Sequence, residues 1–476
     1  MTISVLPDNV LLEIFCFYKK ENPHRYRPQG PPMWKWGLLV HVCRRWRQVV
    51  FASPLLLDLR ILCTARTPVG KNLGIWPALP IYVECGWFPD RRNGNNAPSY
   101  DNIITALKHV DRVCDVRLEV MGSELEKITT VMHEPFPVLT RLFIWSEDGN
   151  APVLPAEFLG GSAPRLQFIY MFGIPFPALP ALLLSTSDLV SLDLSKIPPS
   201  GYISPEAFVV GLAALPRLRD FTIEIRSATP RPDRIHLPPV TRTVLPALTR
   251  FEFRGASEYL EDLASRIDTP QLDWTHIFYF NQLVDFQVPQ LAMFLDRTVG
   301  PKLTQSMYAQ VNFCGDRVTF DMSRHANNYR VPDYARTGIA CQGLDWQVSH
   351  ISQVLGHISA TLSNVVHLKL DGRLKENSQL KGIDDVDWLH FLHQFPTART
   401  LHVSQKLAAH VALTLQDLAL EAVTQTPPSL DLIYLADQPA SSIEKFVAAR
   451  KRSGRPVSVV ETETEFDEKL EPQVRK

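Results

Sequence analysis

Apolar positions along this chain fall into two regimes. Near the start they recur at helical spacing. Val10, Leu11, Ile14, Phe15 and Tyr18 share one face of a helix that opens at Leu6-Pro7-Asp8. Pro7 suits a first helical turn, and Asp8 favours its positive end. A second helix is expected to carry Leu39, Val42, Cys43, Trp46 and Val50 on one face, with Ser53-Pro54 stopping it. Two helices this short cannot bury a core by themselves, so they are expected to dock on something.

From Asp101 the pattern changes to a repeat, L-x-x-L-x-L in apolar terms. It occurs at Val113/Val116/Leu118, Leu139/Leu142/Ile144, Leu166/Ile169/Met171, Leu189/Leu192/Leu194, Leu218/Phe221/Ile223, Leu248/Phe251/Phe253 and Leu272/Thr275/Ile277. Three later copies are Val365/Leu368/Leu370, Ala398/Leu401/Val403 and Leu430/Ile433/Leu435. The second half of each core alternates, as a short strand does. Pro137, Pro164, Pro216, Pro246, Pro270, Pro396 and Pro428 stand two positions before a core and read as the start of each strand. Helical stretches fall between. Ser123-Glu124-Leu125-Glu126 and Ser441-Ser442-Ile443-Glu444 read as capping boxes.

A strand and a helix per 23 to 33 residues is the leucine-rich-repeat period. The fold class expected is α/β: a helical N-terminal module, then an irregular leucine-rich-repeat solenoid with a parallel sheet on its concave side and helices outside. Irregularity is expected because the usual Asn or Cys eight residues after the first core position is missing. Glu147, Ile174, Ile197, Arg226, Ala256 and Phe280 stand there instead. The boundaries expected are 1–60 for the module, 61–100 for a connector containing the β-prone Ile81–Cys85, 101–460 for the solenoid and 461–476 for an acidic tail. Between repeats, Val311-Asn312-Phe313 and Val318-Thr319-Phe320 read as a hairpin across Gly315-Asp316, and Ser323 to Gly338 as an exposed loop.

Composition narrows the function. Forty-nine basic against fifty acidic residues give no basic field for nucleic acid or an anionic membrane. No apolar run approaches the roughly 20 residues of a membrane span. The opening Met-Thr-Ile-Ser-Val-Leu-Pro-Asp lacks the pattern of a secretory signal. Seven cysteines, an odd number without Cys-x-x-Cys, read as reduced, buried thiols in a cytoplasmic or nuclear protein. No phosphate loop, nucleophile elbow or zinc-protease motif occurs, so no catalytic residue and no cofactor are expected. His390 and His393 share a helical side, but a third metal ligand at diagnostic spacing is missing. Arg450-Lys451-Arg452 reads as a cationic helix C-terminus.

The N-terminal segment Leu-Pro-x-x-Val-Leu-x-x-Ile-Phe, followed by Val-Cys-Arg-Arg-Trp, resembles the F-box over about residues 4–54. The whole chain resembles fungal F-box proteins with degenerate leucine-rich repeats. It departs from the F-box in a polar, proline-rich insert at Lys19–Pro32 and in its exit after Trp46. The resemblance implies that Leu6, Pro7, Val10, Leu11, Ile14, Phe15, Cys43 and Trp46 carry contact with a Skp-type adaptor or hold the two helices together. It further implies a substrate-receptor subunit of an SCF-type (Skp–cullin–F-box) ubiquitin ligase, linked to cullin through the adaptor and holding a protein target on its repeats. An adaptor-bound scaffold without ubiquitylation, and an enzyme with an unrecognised site, are the alternative readings.

Overall fold

The computed structural model describes residues 6–19, 39–52, 59–75, 79–86, 97–226, 241–280, 288–298, 307–324, 334–341, 343–373, 385–421, 429–436 and 443–462. The Lys19–Pro32 insert beyond Lys19, the Ser53-Pro54 stop, the Ser441-Ser442 cap, Pro428 and the tail after Thr462 lie outside them. The chain forms two compact units, Met1–Leu218 and Arg219–Lys476.

In the first unit two N-terminal helices, α1 (Asp8–Lys19) and α2 (Arg44–Ala52), precede a parallel sheet. Its strands are β1 (Leu59–Leu62), β2 (Ile81–Cys85), β3 (Val113–Glu119), β4 (Arg141–Trp145), β5 (Phe168–Phe172) and β6 (Ser191–Ile197), each paired with the next. The expected connector therefore supplies β2 and the end of β1, which begins within the expected module, to the same sheet. The sheet starts at Leu59 rather than in the segment after Asp101.

The second unit contains β7 (Asp220–Ile225), β8 (Thr243–Val244), β9 (Arg250–Gly255), β10 (Ile267–Asp268), β11 (Trp274–Tyr279), β12 (Met307–Cys314), β13 (Arg317–Ser323), β14 (Tyr334–Ala340), β15 (Val365–Arg373), β16 (Thr400–Val403), β17 (Leu432–Ala436) and β18 (Ser458–Thr462). The main sheet runs β7-β9-β11-β14-β13-β12-β15-β16-β17-β18, and β8 pairs with β10 apart from it. The expected hairpin is β12 and β13, antiparallel, with Phe313 opposite Val318. The expected loop at Ser323–Gly338 is corrected in part, because Tyr334–Ala340 returns antiparallel to β13 and parallel to β11. Three strands thus sit where one repeat strand would, and β13 alone runs against its neighbours.

The repeat positions read from the sequence are all buried in both units. The strand register aligns them into ladders: Val116, Leu142, Ile169 and Leu192 stand side by side in the first unit. Phe221, Phe251 and Thr275 do so in the second, as do Leu368, Leu401 and Ile433. Each fully buried aliphatic or aromatic chain contributes about 1.5–3 kcal/mol. Thr275 is the polar member, and its hydroxyl is buried without a hydrogen-bond partner. Thr275→Val should therefore raise the unfolding free energy by about 1 kcal/mol, read from urea denaturation. A loss would mean that the hydroxyl is satisfied.

The prolines act differently from the expectation. Each described one is the second residue of a four-residue turn, closed by the first ladder residue: Leu139 donates to Phe136 O, Leu166 to Ala163 O, Leu218 to Leu215 O, Leu248 to Leu245 O, Leu272 to Thr269 O and Ala398 to Phe395 O, at 3.1–3.3 Å. Proline's fixed φ suits that position, whose N–H is not needed. The strand begins two residues after the ladder residue, as Leu139 and Arg141 illustrate.

Where an asparagine ladder is missing, backbone groups stitch successive turns. Val120 donates to Trp145 O, Ser146 to Phe172 O and Gly173 to Ser195 O, at 2.9–3.0 Å. Asp148 adds a side-chain stitch, accepting from Gly122 N and from Ser146 Oγ at 2.9 Å. Desolvation opposes its ionisation, but those bonds and one from Asn150 N outweigh it and hold the carboxyl below its ordinary range. The helix expected to open at Ser123 starts instead at Gly122, with Met121 at the cap and no side-chain capping bond. Asp148 satisfies that terminus from the next turn. As expected, the outer layer is irregular, ranging from a three-residue 3-10 segment at Pro199–Gly201 to a helix at Gln405–Glu421. Arg450, expected among the cations of a helix C-terminus, lies in the last turn of the helix Glu444–Arg452 but is 1% exposed and donates to Leu430 O at 2.7 Å.

Candidate functional site

Three surfaces compete for a functional role. The first is the N-terminal helix pair. Leu11, Phe15 and Val50 are wholly buried, and the Phe15 and Trp46 rings meet at 5.1 Å. Arg45 ties the start of α1 to α2, donating to Asp8 Oδ1 at 2.7 and 3.1 Å and to the Leu6 carbonyl. The second helix is not continuous from Leu39. Residues 39–41 make a 3-10 turn closed by Val42 N on Leu39 O, and α2 starts at Arg44. Cys43 Sγ accepts from Trp46 N at 3.5 Å, so the cysteine caps the new helix. This break turns Val42 outward, at 59% exposure, instead of onto the face shared with Trp46 and Val50.

The structure therefore divides the eight sequence-nominated residues. Leu11 and Phe15 face the interior and are closed to a partner. Leu6 and Trp46 are partly covered. Pro7, Val10, Ile14 and Cys43 are exposed, Val10 and Ile14 at 37% each. Pro7, Val10 and Ile14 follow i, i+3, i+7 spacing and share a side of α1.

The second surface is the open face of the first sheet, formed by the positions between ladder residues. On β4 and β5 it is aromatic. Phe143 stacks on Tyr170 at 4.5 Å and 4°, and Trp145 on Phe172 at 3.7 Å and 3°. Phe168 lies one step earlier at 36% exposure, with the Arg141 guanidinium 4.8 Å from its centroid. Arg117 lies over Phe143 at 4.8 Å and Lys196 over Phe172 at 4.5 Å. The neighbouring strands are polar, with Asp115, Arg117 and Glu119 on β3 and Ser191, Asp193 and Ser195 on β6. These rings lie between the ladder positions, so the repeat pattern alone does not single them out. The signal was present as Phe143, Trp145, Phe168, Tyr170 and Phe172, all at outward positions of two successive repeats.

The third surface is the open face of the second unit. His402 stacks on Tyr434 at 4.2 Å, and Tyr308 on His367 at 4.5 Å. On the hairpin, Asp321 pairs with Arg336 and accepts from Asn312 Nδ2 at 3.1 Å. Burial, with His367 and Lys369 nearby, pushes the His402 imidazole down to about 4. Between its ordinary value near 6.5 and 4 the unfolded chain binds a proton that the folded chain refuses. The His402 contribution to stability is thus complete above pH 6.5 and is lost as pH falls toward 4. His402→Gln should flatten the fall in urea midpoint between pH 7 and 4.5. Comparing the variant with the parent cancels groups titrating elsewhere, and equal slopes would refute the assignment.

Neither sheet face assembles a catalytic constellation among the described residues, and no group of three or more His, Cys, Asp and Glu there is placed to hold a metal. His390 and His393 lie at the end of the helix Asp385–His393, both exposed. The seven cysteines are free, but only Cys63 and Cys85 are buried, and Cys43 is exposed at the helix break. Burial pushes the Cys85 thiol up to about 12 and the Cys63 thiol higher still. Among the described residues no helix is long and apolar enough to cross a membrane.

The strand register and the buried ladder define the class: a leucine-rich-repeat-like α/β protein. No family model and no curated protein matches the sequence. Among solved structures, the chain is similar to the leucine-rich repeat-containing protein LegL7 from Legionella pneumophila, at 12% identity, over 75% of this chain and 95% of that one, with a TM-score of 0.26.

Proposed function

We propose that this protein is the substrate-receptor subunit of an SCF-type ubiquitin ligase, working in the cytoplasm or nucleus and performing no covalent chemistry itself. The N-terminal pair docks a Skp-type adaptor and through it cullin, while the repeat sheets hold a protein target. Acceleration then comes from the raised effective concentration of the target's lysine near the conjugating enzyme. A repeat sheet with wide open faces suits protein interaction. The observation that carries the reading is the outward row of Pro7, Val10 and Ile14, with Val42 exposed as well. It lies on a helix pair whose own interior is already filled by Leu11, Phe15 and Val50.

Co-expression with a Skp-type adaptor tests it. Val10→Asp/Ile14→Asp should abolish co-purification, an affinity loss of about 100-fold or more, with helical content unchanged. Covering two half-exposed aliphatic chains contributes about 1–2 kcal/mol each, and a buried carboxylate adds its desolvation cost. Failure of the parent chain to co-purify would overturn the docking reading. If it co-purifies but a reconstituted ligase leaves captured proteins unmodified, the scaffold reading replaces the receptor.

A further inference from the structure

The aromatic face of β4 and β5 has a chemistry of its own. Outward positions of a sheet are polar by default, and five adjacent rings there form a concentrated apolar patch. Their faces are consumed, because Phe143 and Tyr170, and Trp145 and Phe172, stack on each other within 4° of parallel. Further faces are covered by Arg117, Arg141 and Lys196. Phe172 is itself buried, and side chains stand roughly perpendicular to a sheet, so what meets solvent is the edges of the other four rings. The edge of an aromatic ring is its positive part.

The cations sharpen this polarity. Arg117 is neutralised by Glu119 at 2.8 Å, and Arg60, farther along the same face, by Glu84 at 2.5 Å. Arg141 and Lys196 rest on rings and have no carboxylate within ion-pair distance among the described residues. Asp115, opposite Arg141 in the strand register, leaves it unpaired. Lys196 holds this position at φ 52, a left-handed conformation unfavourable for lysine and common where function fixes the backbone. Ser191 is level with Arg141, with Phe168 of β5 between them, and Lys196 lies five residues farther on. The charged ends of the two cations rest on Phe168 and Phe172, four residues apart on β5, and so lie about 13 Å apart along the strand direction. That is the reach of about five extended residues.

We propose that this face binds an extended acidic peptide segment of a partner protein. An apolar side chain of the segment packs among the ring edges, and carboxylates at either end meet Arg141 and Lys196. Nucleobases and sugars stack on ring faces, which are occupied here. The inference rests on the first unit alone and does not depend on adaptor docking.

The test is fluorescence anisotropy with the full chain, without adaptor. The probes are labelled seven-residue peptides with Asp or Glu at positions two and six and a central Phe, Tyr or Leu. Matched sets carry Gln or Lys in place of the acids. Acidic members should bind with Kd below about 100 µM and weaken about 10-fold when salt rises from 0.1 to 0.5 M. Both Trp145→Ala and the surface variant Arg141→Gln/Lys196→Gln should weaken them by about 10-fold or more. The second variant keeps the test decisive if loss of the indole disturbs the sheet. Equal binding of the Gln or Lys sets, no binding by any acidic member, insensitivity to the double variant, or displacement by a single-stranded oligonucleotide or a neutral oligosaccharide would each overturn the proposal.

Discussion

Replacing Phe251 with alanine should lower the stability of the second unit by about 3–5 kcal/mol. The ring is wholly buried at the ladder position of β9, between β7 and β11. It stacks on Phe221 at 5.4 Å and 28° and meets the edge of Phe294 at 6.3 Å and 74°. Deleting it removes transfer energy and leaves a cavity that a strand paired on both sides cannot close. Phe251→Leu keeps most of the volume and should cost no more than about 1.5 kcal/mol. Phe168→Ala, on the open face of the other unit, should cost less than 1 kcal/mol, because its ring is already partly in water. Urea unfolding of the three variants checks the order. A Phe251→Ala loss below 1 kcal/mol would mean that the ladder does not form the core.

That ladder was the legible part of the fold. Its positions follow from period and polarity, which are local properties of the chain, and the structure buries every one. What escaped the sequence depends on partners distant along it. β1 and β2 belong to the sheet because they pair with β3, and a lone run such as Ile81–Cys85 cannot announce its neighbour. The hairpin was visible across Gly315-Asp316, but the return of Tyr334–Ala340 was not. Arg336 and Gly338 make that strand look polar until Asp321 is placed opposite the arginine. The prolines were found and misplaced by one structural step, since a fixed φ near −65° serves a turn as well as an extended start.

The candidate sites divide in the same way. Helical periodicity identified the N-terminal face correctly in part, since Leu11 and Phe15 are core and Val10 and Ile14 are not. It failed at Val42, because the interruption at Val42 and Cys43 shifts the helical phase of everything before it. The aromatic face lay in plain view as outward residues, but its meaning required the register. Only adjacency of β4 and β5 turns five scattered rings into one surface.

Gly173→Ala should destabilise the first unit by about 3 kcal/mol or more and disturb that surface. Gly173 follows β5 at φ 69, where a side chain costs about 1–2 kcal/mol. A Cβ there would also sit 2.2 Å from the Ser146 carbonyl oxygen, so backbone must move, adding a penalty of about 1–3 kcal/mol. The displaced segment is the stitch itself, since Ser146 donates to Phe172 O and Gly173 to Ser195 O. Gly149→Ala separates the two terms. Gly149 has φ 72 but nothing within 4 Å of its added Cβ, so only the conformational cost applies. Amide exchange at Ser146 and Gly173 should accelerate in the first variant and hold in the second. Trp145, stacked on Phe172 one residue before the glycine, should report the same opening as a change in fluorescence. Equal losses in the two variants would show that the backbone stitch yields freely, and that the aromatic surface is not held by the turns that follow its strands.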